Sequence, residues 1–389
     1  MSGRDVVIVG GGVMGTSAAW WLTKMSPGLS VTVIERDPTY AQAATALSVA
    51  SIRQQFTMQV NVKISRFGVD FIRNFRDHAG PDVADLGFRE NGYLFVTGDP
   101  LMVPVMQDVA AMQRDCGAGT VVLTSEMIKA QFPWIAVDDL QAGSFGPRDE
   151  GWFDNMGLLS GFKAGAKARG AVFLRDEVTG ISVVSERVTG VTLSQGGALD
   201  CDVLVNAAGT RAGQVMALAG LVLPVEPRKR TVFVIDAPNA RHPGGPLLVD
   251  AGFYLRPEQQ HWITATVPQD DGPCDINDFD PDLHLFEDVI WEQLYARAPG
   301  FDAVKVIRHW VGHYDYNTLD QNAILGPHPN MPNLFLMNGF SGHGLQQSPA
   351  VGRGIAEHIL TGGWQSLDLS DLYVDRVLAG RAFVERGIV

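Results

Sequence analysis

Three features of the sequence predict an α/β protein in which a parallel, helix-covered sheet shares the chain with a second, mostly antiparallel sheet. A β-branched run at 6–9 leads into a glycine cluster and then a helical pattern. A second strand pattern, "SVTVIE", follows that helix and ends on an acid, Glu35. Far downstream, "KRTVFVID", "GFYLRPE" and "HWITATVP" alternate apolar and polar residues, as strands of an antiparallel sheet with one covered face do.

The opening stretch "DVVIVGGGVMGTSAAWWLTKMSPGLSVTVIERDP" is the most specific in the chain. Residues 6–9 read as a strand buried on both faces. Gly10, Gly12 and Gly15 then give the spacing G-x-G-x-x-G. Gly10 allows a tight turn, Gly12 lets the backbone approach a pyrophosphate, and Gly15 lets the next helix pack against the strand. A helix is expected over 16–24, its amino end facing the phosphates. Glu35 falls where a carboxylate accepts both hydroxyl protons of an adenosine ribose, which favours NAD or FAD over NADP. The pattern is Rossmann-like.

The rest of the chain favours FAD. After Pro38 comes a loop of small and polar residues, "TYAQAATALSVASIRQQF", in place of a third strand. Another buried strand, "CDVLVNAAGTRAG" at 201–213, ends in glycine, and so does "LFLMNGFSGHGLQQSPAVGRGIAEHI" at 334–359. Three glycine-rich strand ends far apart in sequence suit one long cofactor lying across the carboxyl edge of a sheet. Between them, "NGYLFVTG" reads as a strand, 282–298 as a helix, and "GLLSGFKAGAKARGAVFL" as a helix then a strand. The stretch 177–205 reads as short strands joined by glycine turns.

Composition narrows the function. The chain has 389 residues, enough for two domains, and 46% are hydrophobic. A formal net charge of −13 argues against nucleic acid or an anionic membrane surface as partner. Three cysteines, Cys116, Cys201 and Cys274, show no metal-site spacing and suit reduced thiols in a cytoplasmic protein, so no metal is expected. The first strand begins too early for a signal or transit peptide, and no apolar run is long enough for a membrane span.

Together "VIVGGGVMGTSAAWWL", "VIERD", "LVNAAGTRAG" and "GFSGHGLQQSPAVGRGIAEHI" resemble the D-amino-acid oxidase or glycine oxidase superfamily of FAD-dependent oxidoreductases, nearest its sarcosine and dimethylglycine branch. "LSVASIRQQF" and "WVGHYDYNTLDQNAILGPHP" are most similar to the subgroup of FAD-dependent oxidoreductase domain-containing protein 1. The resemblance covers essentially the whole chain. It implies a Rossmann-like FAD-binding domain of glutathione-reductase type, at 1–85, 145–222 and 322–389. Interleaved with it, at 86–144 and 223–321, it implies an α+β substrate domain built on a mostly antiparallel sheet. It also implies cofactor contacts from Gly10, Gly12, Val13, Met14, Gly15, Glu35, Arg36, Ala44, Thr45 and Ser48, then from Val178, Ala208, Gly209 and Trp310. The last loop would add Gly339, Gly342, His343, Gly344, Leu345 and Gln346. In that family the loop lies beside the flavin, where amides and a helix start stabilise the charge that hydride leaves near N1 and O2.

The activity implied is oxidation of the C–N bond of an amino acid or secondary amine, giving an imine that hydrolyses. Such a reaction needs the substrate carbon held over flavin N5 in a dry pocket, and no dedicated base if the amine binds neutral. A substrate carboxylate needs a cation. Arg53 is the first candidate, with flavin phosphates or a surface acid as its other possible partners; Arg256 is the second. Tyr254 positions substrate or is a core aromatic. His313 faces substrate or is structural, and it would be the base if the substrate were a 2-hydroxy acid. A non-catalytic assembly flavoprotein is the third reading. Three departures from the sarcosine oxidase pattern stand out. No cysteine follows Cys274 and no histidine lies in the N-terminal flavin loop, so FAD is expected to be non-covalent. Gln346 replaces a carboxylate-binding lysine, and the lysine that promotes oxygen reaction is missing from "HWITA". The electron acceptor is therefore open among oxygen, a quinone and a carrier protein.

Overall fold

The structure is a computed structural model that describes residues 5–80 and 83–385. Its first sheet has six strands, in the spatial order Ile324–His328, Met331–Asn338, Val203–Asn206, Asp5–Val9, Ser30–Glu35, Val172–Arg175. All neighbours are parallel except the hairpin Ile324–His328 with Met331–Asn338. The central strands are buried along nearly their whole length, as the unbroken apolar runs require. The N-terminal helix spans Val13–Met25, starting earlier than the expected 16 because Gly12 is already its N-cap.

Helices Val13–Met25, Asn155–Ala168 and Gly344–Thr361 share the larger hydrophobic core of this half. The first and last of these touch backbone to backbone. A Cβ on Gly352 would lie 2.1 Å from Ser17 Oγ. That approach lets Ser17 Oγ donate to Ser348 O at 2.7 Å and Trp21 Nε1 donate to Pro349 O at 3.0 Å. Pro349 sits inside the helix, where it cannot donate to Leu345 O; Ser348 Oγ donates there instead, at 2.9 Å.

The second sheet has eight strands, in the order Lys305–Asn317, Val225–Asp236, His261–Thr266, Phe253–Glu258, Leu247–Asp250, Tyr93–Thr97, Ala142–Gly146, Val121–Thr124. It is antiparallel except where Leu247–Asp250 runs parallel to Tyr93–Thr97. That strand joins the two sequence segments, and its short run was not legible as one. The expected helix at 282–298 is a wide π-type turn, Phe286–Ile290, followed by a regular helix, Trp291–Arg297. A three-stranded antiparallel sheet, Val178–Val184, Arg187–Leu193 and Ala198–Asp200, covers one side of the parallel sheet. Among the described residues, no helix is long and apolar enough to cross a membrane.

A side chain at Gly352 must separate the two helices. Gly352→Val is expected to lower stability by about 1–3 kcal/mol, read as a lower urea midpoint; an unchanged midpoint would remove close helix approach as the reason for glycine here.

Candidate functional site

A cavity of about 520 Å³ runs between the two sheets. One end is built by the first strand and its turn. Gly10 has φ +98°, and a Cβ there would lie 2.4 Å from Ala207 O. Gly15 faces the turn from behind: its Cβ would lie 1.9 Å from Gly10 O, so its role is packing and it does not line the cavity. Glu35, at the end of the second strand, accepts from Gly11 N and Asp37 N, both at 2.8 Å. Thr45 Oγ1 accepts from Val13 N at 3.1 Å and ties the following loop to the helix start. Gly10, Gly12, Val13, Met14, Glu35, Arg36, Ala44, Thr45 and Ser48 all line the cavity, as do Val178, Ala208 and Gly209.

The other end is the turn between strand Met331–Asn338 and helix Gly344–Thr361. Gly339, Ser341 and Gly342 have φ of 69°, 50° and 95°. The left-handed Ser341 is held from both sides: its N–H donates to Asp315 O at 3.1 Å, and its Oγ accepts from Asn317 N at 3.0 Å. Asp315 Oδ2 accepts from Phe340 N at 3.1 Å. Burial pushes the Asp315 carboxyl up to about 6. A Cβ on Gly342 would lie 2.7 Å from the Tyr314 ring. Gly342, His343, Gly344, Leu345 and Gln346 line the cavity, whereas Gly339 lies behind the wall against Asn317 and Val225.

Between these ends stands Arg53, 6% exposed and on the cavity wall. Its Nη2 is 2.9 Å from His343 Nε2. A guanidinium only donates, so that nitrogen accepts and the imidazole proton is on Nδ1. Burial first, and then the Arg53 charge, lowers the His343 pKa to about 3, so the ring is neutral. The guanidinium lies 4.9 Å from the Phe56 ring centre and 5.1 Å from that of Phe95. Its Nε is buried without a hydrogen-bond partner, and among the described residues no carboxylate pairs with it.

Two groups hold the chain around Arg53. Gln346 Oε1 accepts from Arg53 N at 2.9 Å and from Ser65 Oγ at 3.1 Å, so this oxygen fastens the Arg53 segment to helix Gly344–Thr361. Glu150, 1% exposed, accepts from Gln54 N at 2.9 Å and Gln55 Nε2 at 2.8 Å. Burial pushes the Glu150 carboxyl up to about 7 against those hydrogen bonds and the Arg53 charge. A Cβ on Gly146 would lie 2.2 Å from this carboxyl, so glycine makes its room.

The remaining candidates divide. Tyr254 lines the cavity, and burial raises its phenol well above the usual value. His313 also reaches the wall, but its ring stacks on Phe279 at 4.3 Å and its Nε2 donates to Asp278 O at 2.6 Å. Arg256 lies outside this cavity. It pairs with Glu258 at 2.5 Å, donates to Val49 O at 3.1 Å, and packs over Trp152: it shares the strand face of Tyr254 but lies two residues farther along, past the cavity. Trp310 is also outside, its Nε1 donating to Leu47 O at 2.8 Å; it braces the loop that carries Ser48.

Sequence reading passed over several wall residues. Tyr93 lies on the wall, and Phe95 stacks on it at 5.2 Å. Aromatics two apart in "NGYLFVTG" were the available signal, since alternation sends Leu94 and Val96 into a different core. Asp315, between two tyrosines in a strand, was an acid at a position that had to be buried. Arg230 lines the wall at 5.0 Å from the Tyr314 ring and is paired bidentately with Asp271 at 2.6 and 2.8 Å. Nothing in the sequence marked that pairing. Among the described residues no group of His, Cys, Asp and Glu could hold a metal ion.

The turn that only a bare backbone can make at Gly10, the ribose-type acid at Glu35 and the second glycine turn at Gly342 fit a long cofactor with FAD's two ends. The family model for FAD dependent oxidoreductases matches residues 5–358. FAD-dependent oxidoreductase domain-containing protein 1 of Xenopus laevis is 39% identical over 99% of this chain and 85% of its own. Human mitochondrial sarcosine dehydrogenase is 25% identical over 93% of this chain and 40% of its own. The crystal structure of L-proline dehydrogenase from P. horikoshii superposes with a TM-score of 0.86 at 26% identity, covering 97% of this chain and 99% of the other. Glycine oxidase from Bacillus cereus superposes with a TM-score of 0.77 at 20% identity, covering 95% and 98%, a likeness of fold. A chain matched almost end to end, with the glycine turns and the acid that the cofactor needs, belongs to the DAO family of FAD-dependent oxidoreductases, and FAD is its cofactor.

Proposed function

We propose that this protein oxidises the C–N bond of an amino acid or N-alkyl amine. The observation that carries the reading is Arg53: a buried guanidinium on the cavity wall with no carboxylate paired to it among the described residues. A buried cation without a counter-ion is costly unless a ligand supplies one, and a substrate carboxylate would. The named activities of the similar proteins, on sarcosine and L-proline, support the same substrate class.

In this reading, bound FAD would supply the oxidising power, as acceptor of a hydride from the substrate carbon. The nitrogen lone pair forms the C=N bond of an iminium ion, which passes its proton to water as an imine and is hydrolysed. The chain does the rest. Arg53 holds the carboxylate, and neutral His343 accepts from Arg53 and so fixes the guanidinium plane. Gln346 and Glu150 hold the backbone on either side. Tyr93 and Tyr254 exclude water and offer hydroxyls that stay protonated, since burial raises both phenols. The amine binds neutral, so no side chain needs to take its proton at the transfer step. The committed ring of His313 gives the 2-hydroxy-acid reading no support. FAD is held non-covalently in this proposal, as none of the three cysteines lines the cavity. The division of the chain into two interleaved domains is part of the same reading, as is an acceptor that is oxygen, a quinone or a carrier protein.

Anaerobic mixing of the holoenzyme with a panel holding sarcosine, L-proline, glycine and matched 2-hydroxy acids should bleach the visible flavin band with an amine. Bleaching by none of them would sink the catalytic reading. Arg53→Ala should weaken apparent binding of the amino acid that reacts by about 2–4 kcal/mol, with a normal flavin spectrum; loss of FAD instead would assign Arg53 to the cofactor.

Glu150 gives a pH signature. The folded chain keeps that proton to about pH 7, whereas an unfolded one releases it near 4.5. The folded state therefore binds more protons between those values, and this group's share of stability is lost as pH rises through them, by about 3 kcal/mol in all. Neutral His343 slopes the opposite way below 6.5, so the comparison must be between variants. The stability of Glu150→Gln relative to the parent should rise from pH 4.5 to 7; a flat difference would remove the buried acid from the account.

A further inference from the structure

We propose that residues 381–385 are a strap closing the cofactor cavity, with the Glu385 carboxylate as its latch on the segment that follows Arg53. The inference rests on the FAD cavity and not on the identity of the substrate.

The strap is anchored first from behind. Arg376, on helix Val374–Leu378, is 7% exposed and pairs with buried Asp320, Nε to Oδ2 at 2.9 Å and Nη2 to Oδ1 at 3.1 Å. Asp320 Oδ2 then accepts from Phe383 N at 2.9 Å, and Asn322 Nδ2 donates to Phe383 O. One carboxylate thus binds both the helix before the strap and the strap itself. Beyond that anchor the chain runs along the surface, with Val384 exposed, and turns a single polar group inward.

That group is Glu385. Its Oε1 accepts from Asn61 Nδ2 at 2.6 Å, and its Oε2 accepts from Thr57 N and from Thr57 Oγ1. Among the described residues no cation is paired with it, so neutral donors hold the charge. Asn61, 1% exposed, also donates to Asn322 Oδ1 at 2.7 Å and accepts from Gln347 Nε2 at 3.3 Å. The latch therefore joins the start of helix Gln59–Arg73, the start of helix Gly344–Thr361 and the anchor loop at 320–322. Val384 and Glu385 themselves line the cavity, as Ser341 and Gln346 do.

The arrangement has a functional consequence. Thr57 is four residues from Arg53, and Gln347 follows Gln346, which holds the Arg53 backbone. A carboxylate bridging these segments fixes the rim through which a cofactor leaves. Hydrogen bonds to a charged group are the strong ones, so their loss should appear as faster release.

The test uses the holoenzyme and needs no substrate. Flavin fluorescence after dilution reports FAD release, and melting of apo- and holoprotein reports stability. Glu385→Ala should release FAD at least about tenfold faster and lower the holoprotein melting temperature more than that of the apoprotein. Thr57→Val, which removes one donor while the anchor stays intact, should release FAD faster by a smaller factor. An unchanged release rate in Glu385→Ala, or equal losses of melting temperature with and without FAD, would make the segment merely structural and overturn the proposal. Faster release in a protein whose flavin no amine bleaches would keep the strap while sinking the substrate reading.

Discussion

Everything in this molecule depends on places where backbone meets backbone with no side chain between. The Gly15 position against Gly10 O leaves no space for a Cβ, and neither does Gly10 against Ala207 O. These contacts pull the first helix onto the sheet and open a long trough along the carboxyl ends of the strands. At the far end Gly342 makes room of another kind, for the Tyr314 ring, which fills the volume that a side chain would need. Glycine loses conformational entropy in such positions. The apolar helices that close on one another at Gly352 and Ser17 supply the offset.

The trough is electrostatically unusual for an acidic chain. Its centre holds a buried cation, Arg53, with neutral His343 as its hydrogen-bond partner and an acid, Glu150, behind it. Solvation cannot reach these groups, so each is set by its neighbours: burial raises both carboxyls, Glu150 and Asp315, and lowers His343. The carboxyl groups are structural in the first instance, since each holds a stretch of backbone that carries wall residues. Their perturbed protonation follows from that placement.

Polar side chains also replace hydrophobic contact in tying distant segments. Gln346 holds the Arg53 backbone, Asp315 holds the turn at Phe340 and Ser341, and Asp320 holds Arg376 and Phe383. Each bridges segments far apart in sequence. A group that bridges in this way is expensive to leave half satisfied, so these networks specify one arrangement of the site more sharply than apolar packing would.

The sequence by itself determined the parallel sheet, the glycine turns, the acid at Glu35 and the loop before helix Gly344–Thr361. These signals are local: a turn needs its glycines within a few residues, and a strand shows its burial in its own run of apolar side chains. Tertiary structure alone decided which cations reach the cavity. Arg53 and Arg256 were the first and second candidates in one dimension, and only the cavity's extent along the strand leaves Arg256, two residues past Tyr254, to Glu258 and Trp152 instead. It decided, too, that Gln346 spends its oxygen on the Arg53 backbone, that Glu150 stands behind Arg53, and that Arg230 is matched by Asp271. Such pairings join residues separated by tens or hundreds of positions, and one side chain carries no record of its partner until the chain has folded.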